Sequence, residues 1–146
     1  MINQDSRWQQ RFDNYSKAYL LLYGALENKE IEDFDDLQKE GLIQRFEYTF
    51  ELLWKTIKDY LQYQSVEIEI ISPKKVFRAA AGSNLLEHMD IEGDVLLEML
   101  EKRNLMSHTY DIATFSETLT LVKDVYLPQF TKVFHYFNIK REESNG

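Results

Sequence analysis

The stretch LIQRFEYTFELLWKTIKDYLQYQ, Leu42 to Gln64, decides the fold. Phe46, Phe50, Leu53, Ile57 and Leu61 recur every three or four residues. That spacing places them on one side of an α-helix and predicts a buried stripe. Glu51 and Lys55 sit four apart on an outer face. Tyr48, Leu52 and Trp54 lie on further sides, more apolar surface than one core face uses. The pattern calls for two buried faces or a subunit interface.

The same period extends outward. Trp8, Phe12, Tyr15, Tyr19, Leu22 and Leu26 predict a first helix. NKEIEDFDD is acidic and aperiodic, a connecting loop with Asp35 or Asp36 as N-cap of the next helix. SVEIEIIS alternates apolar and acidic residues, which fits a short extended segment or a simple linker. In SPKKVFRAA the serine and proline supply an N-cap and first-turn pair, so a short third helix follows. AGSNLLEHMDIEGD reads as a loop bounded by glycines. A fourth helix is expected over about Ile91 to Ser107. A fifth begins soon after Asp111 and carries Phe115, Leu119, Val122, Tyr126, Phe130, Val133 and Phe137. Pro128 should bend it. KREESNG reads as a polar, frayed tail.

Four long amphipathic helices and one short one, joined by mostly short links, predict an all-α fold. The expected form is an antiparallel up-and-down four-helix bundle with an additional short helix. One domain is expected over residues 1–146, with the bundle at about 5–138 and a polar tail at 139–146. No apolar run reads as a signal peptide or reaches the roughly 20 residues of a bilayer span. A soluble cytoplasmic protein without membrane association is expected. The chain has no cysteine, which excludes disulfide and thiolate chemistry. His88, His108 and His135 are too irregularly spaced for a recognisable metal site. No metal or other cofactor is expected, and no glycine-rich phosphate loop or nucleophile elbow occurs. Seventeen basic and 25 acidic residues give a net charge of −8. Such a chain does not hold DNA or RNA by bulk electrostatics, so any RNA contact must be local or shared with a partner.

The chemistry gathers in KRNLMSHTYD, Lys102 to Asp111. Val95, Leu96, Met99 and Leu100 line an apolar side whose period next reaches Arg103 and then Met106. A cation thus stands where a hydrophobe is due. Without partners it would cost several kcal/mol, about as much as other buried charges. It must snorkel, pair with a carboxylate, or meet a phosphate in a cleft. Asn104 and His108 are four apart, so on a helix the amide could fix the imidazole tautomer. Arg103 and His108 would diverge by about 140° and roughly 7.5 Å on a straight helix. They converge only if the helix ends between them or a second copy supplies one of them. Tyr110 follows, either with an accessible hydroxyl or as a packed tyrosine at the bundle end. Glu98 and Glu101 are expected on the solvated side.

RNLMSHTY fits the pattern of arginine, four residues, histidine, one residue, tyrosine. With GLIQRFEYTFELLWKTIKDYL and SPKKVFRAA in the same order, the chain resembles the HEPN superfamily. More narrowly, it resembles the nucleotidyltransferase substrate-binding proteins, over about residues 5 to 137. Leu96 departs from that pattern, standing where an aromatic is common. The resemblance implies a dimerising helical bundle, a homodimer or higher oligomer, partnered with a minimal nucleotidyltransferase. It implies a nucleotide or RNA ligand at Arg103 and His108, with Asn104 binding or orienting. In one version of such systems the bundle is a metal-independent endoribonuclease toxin and the transferase its antitoxin, which adds AMP to the tyrosine, here Tyr110. Cleavage by attack of a 2′-hydroxyl on the adjacent phosphate suits these groups. His108 would move a proton and Arg103 would stabilise phosphoryl charge.

Overall fold

A computed structural model describes residues 4–145, with side chains from residue 6. Helix α1 (Gln4–Leu26) buries every member of the first stripe, from Trp8 to Leu26. A 3-10 turn at Ile31–Asp33 interrupts the acidic loop. Helix α2 (Asp36–Tyr63) starts where Asp35 caps it. The Asp35 carboxylate accepts from Gln38 N at 2.8 Å, and Gln38 Oε1 accepts from Asp35 N at 2.9 Å. This reciprocal capping box satisfies two donors that the first turn would leave free.

Antiparallel α1 and α2 form a hairpin. Near its open end Arg11 Nε meets Asp59 Oδ2 at 3.0 Å, and near its closed end Arg45 donates to the Leu21 carbonyl at 3.3 Å. The buried surface of α2 is wider than a single stripe, as the excess of apolar residues requires. Phe46, Phe50, Leu53, Ile57 and Leu61 form the stripe, and Leu52 and Trp54 extend it around the helix. Tyr48 remains 61% exposed.

Ser65 to Ser72 forms no strand among the described residues. Its expected extended character is that of a linker, with Val66 and Ile68 packed against the core. Helix α3 (Pro73–Gly82) begins with the Ser72 side chain accepting from Lys75 N. The segment read as a loop contains a further helix, α4 (Leu85–Met89), so two short helices accompany the long ones. Asn84 and Asp90, at φ 67° and 60°, bracket it in the left-handed region that asparagine and aspartate tolerate. Helix α5 (Gly93–Met106) buries Leu96, Met99 and Met106.

The last stretch runs without a break as α6 (Ile112–Leu121), a π turn (Val122–Tyr126) and α7 (Leu127–Asn145). Pro128 lacks the N–H that the Asp124 carbonyl would otherwise accept. The wider π turn just before it absorbs that defect. The tail is helical through Asn145 because Arg141 pairs with Asp13 and lies over the Phe12 ring. Helix α7 runs antiparallel to α1, with Tyr15 donating to the Phe130 carbonyl at 2.6 Å and Trp8 packed on Phe137. It runs parallel to α2, since Phe46 meets Phe130 and Tyr60 meets Phe137. These pairings give the up-and-down order of an all-α bundle around one aromatic core.

Candidate functional site

Helix α5 ends at Met106, between Arg103 and His108, which is the condition under which those two side chains can share a site. Ser107 caps the end, and its Oγ lies 3.1 Å from the Arg103 carbonyl and 3.4 Å from Glu47 Oε2. His108 N still reaches back to the Leu105 carbonyl at 3.1 Å, closing the final turn. Asp111 then caps α6, accepting from Ala113 N at 3.1 Å and from the Thr114 hydroxyl at 2.9 Å. The motif therefore occupies the last turn of α5 and a short link fixed at both ends.

Arg103 lies against α2. Its Nη2 is 3.2 Å from Glu51 Oε2, and its guanidinium carbon sits 5.8 Å from the Phe50 ring centroid. The side chain is 24% exposed, so the apolar position is met by partial burial and an ion pair. Its Nε is buried and has no hydrogen-bond partner. An orphaned donor of this kind costs about 1–3 kcal/mol. Glu51 is itself held by Trp54, whose Nε1 donates to the same Oε2 at 2.8 Å.

Tyr110 is 78% exposed, its ring edge-on to Phe115 at 5.8 Å, and its hydroxyl donates to Glu40. That bond, and next the charge of the same carboxylate, raise the phenol above its ordinary value. Burial raises the Glu47 carboxyl, while Ser107 and Arg103 draw it part of the way back. His108 and Asn104 are exposed, and neither side chain has a partner among the described residues. The expected amide-to-imidazole bond does not form, because the helix that would align residues 104 and 108 stops at Met106. Arg103 and Tyr110 are not brought to one point within a protomer. Their partners Glu51 and Glu40 are about 16 Å apart along α2 at the usual helical rise.

Glu40, Glu47 and Glu51 are the site residues that sequence reading missed. Their spacings of seven and four put them on one side of α2, which was the available signal. Glu98, expected on the solvated side, is half-buried and accepts from Tyr126 at 2.7 Å. His88 and His135 are exposed and belong to other parts of the surface. Among the described residues no helix is long and apolar enough to cross a membrane, and no group of three or more histidine or acidic side chains could hold a metal.

The fold and this turn define an all-helical bundle protein in which the end of one helix and its following link lie along an acidic row on another. Residues 10–138 match the family described as nucleotidyltransferase substrate binding protein like, and the chain belongs to that family. The family implies partnership with a nucleotidyltransferase. No curated protein matches the chain.

Proposed function

We propose that the chain is the substrate-binding partner of a minimal nucleotidyltransferase in a two-component system, taking up a nucleotide or phosphate group at Arg103 and His108. The observation that carries this reading is the partly exposed guanidinium of Arg103 on the apolar side of α5, met by a single carboxylate contact while its Nε has no partner. A phosphoryl oxygen would satisfy a planar fork that a single carboxylate contact leaves partly unused. Asn104 and the imidazole of His108 are exposed in the same motif and would complete the contacts to that group. Pairing of two copies through the exposed Leu37, Tyr48 and Leu105 would bring two such turns together as a homodimer. Titration calorimetry with AMP and with ATP tests this. At least tenfold weaker binding is expected for Arg103→Met and for His108→Ala. Unchanged affinity in both variants overturns the assignment.

The accessible imidazole supports a second reading, a HEPN endoribonuclease toxin silenced by AMP addition at Tyr110. In that chemistry His108 carries the proton and Arg103 the phosphoryl charge. Expressing the chain alone should arrest growth and fragment RNA, and His108→Ala should abolish both effects. Toxicity that persists in His108→Ala and in Arg103→Ala would remove the mechanism.

A further inference from the structure

We propose that Glu40 is the general base for nucleotide transfer to Tyr110. The inference rests on the reading of Tyr110 as acceptor given above. Two features of the geometry carry it. The Tyr110 hydroxyl donates to the Glu40 carboxylate, a contact between residues 70 positions apart. The ring is otherwise open to solvent, so the oxygen can be approached from the side away from Glu40.

The two partners also differ in how they are held. Glu40 stands in the second turn of α2, a helix whose first turn is locked by the Asp35–Gln38 capping box. Tyr110 lies in the link before α6, steadied by Phe115. A base on a rigid element and an acceptor on an accessible link suit a transfer whose donor comes from a partner protein. Glu47 and Glu51 do not substitute for Glu40. They lie about 10 and 16 Å further along the helix and serve Ser107 and Arg103.

A nucleoside triphosphate is held by the transferase. Tyr110 Oη attacks its α-phosphorus, and the Oη–P bond forms as the bond to the bridging β-phosphate oxygen breaks. Pyrophosphate leaves, and the phenolic proton passes to Glu40 and on to water. A neutral phenol is a weak nucleophile, and a positioned carboxylate typically accelerates such a step by about 10²–10⁴-fold.

The test uses the full-length chain, its cognate transferase and ATP labelled at the α-phosphate, followed by intact mass and initial rate. Glu40→Gln keeps an oxygen that can accept the phenol's hydrogen bond but removes the base. It is expected to lower the maximal rate about 100-fold with little change in the concentration giving half-maximal rate. Glu40→Asp, which keeps a carboxylate, should recover part of the rate. A Glu40→Gln rate within about threefold of the wild type would show a positional contact and overturn the proposal. Label that still enters Tyr110→Phe would instead overturn the acceptor assignment. Absence of label on the wild-type chain would overturn both.

Discussion

Replacing Arg103 with methionine should leave the fold as stable as before, or more so, while removing the anion site proposed above. Several contributions can be weighed from the structure. The lost pair with Glu51 is partly exposed on both sides, 24% and 35%, and such pairs contribute about 0–1 kcal/mol. Loss of the cation over Phe50 subtracts roughly 0.5–1 kcal/mol more. Against these stands the buried Nε, whose removal returns about 1–3 kcal/mol. Glu51 is not stranded, because Trp54 continues to donate to it. Methionine keeps a flexible apolar chain against Phe50, where the period of α5 calls for one. The sum centres on about 0–1 kcal/mol of added stability, or at most a few degrees in melting temperature for a chain of this length. Thermal and urea unfolding followed by circular dichroism would measure it, alongside AMP titration of the same sample. Destabilisation beyond about 2 kcal/mol would refute the reasoning, since it would make Arg103 a structural residue whose pairing holds the bundle together.

Two further outcomes follow from buried groups elsewhere. Arg11→Met should destabilise the protein by about 3 kcal/mol in urea unfolding, the low end for breaking a buried pair, because Asp59 is fully enclosed but keeps Lys58 at 3.2 Å; a loss under about 1 kcal/mol would refute it. Burial raises Tyr15, Tyr126 and Tyr60, the last to about 12, so their neutral forms are favoured in the fold. The contribution of Tyr60 is therefore complete below about pH 10, the ordinary phenol value, and is lost as pH rises towards about 12, and those of Tyr15 and Tyr126 are likewise lost only above about pH 10. Tyrosinate absorbance of these groups should appear together with loss of helical signal, and ionisation of all nine tyrosines while the helices persist would contradict it.

Much of the fold was legible because its helices are long and carry regular stripes. Every residue assigned to the buried faces of α1 and of the last helix is buried. So are Phe46, Phe50, Leu53, Ile57 and Leu61 of α2. What escaped detection depends on contacts that a local period does not encode. Helix α4 spans only Leu85–Met89, too short to show a repeat, and is bounded by two left-handed residues. The tail remains helical through Arg141 and Asp13, which are 128 positions apart. Val66 and Ile68 alternate with acids as a strand would, yet no neighbouring strand is present among the described residues to pair with. The apolar residues of the alternation dock on the core from a linker instead.

At the site, the period of α5 was enough to flag Arg103 as a cation in an apolar position, but it could not say what the cation meets. Glu51 read as one half of an outward pair with Lys55, because a single helix reveals only partners three or four positions away. In the fold Glu51 serves Arg103, while Lys55 lies over the Trp54 ring. Glu40, Glu47 and Glu51 share a side of α2 next to its core stripe, and α5 with its following link lies along that side. One helix therefore contributes an acid to each of Tyr110, Ser107 and Arg103. An incoming phosphate must compete with Glu51 for the guanidinium, and at neutral pH the row disfavours any anion that does not bring cations of its own. That competition makes Glu51→Gln the variant expected to tighten binding of free AMP, and weaker binding by that variant would show that Glu51 orients Arg103 instead of opposing its ligand.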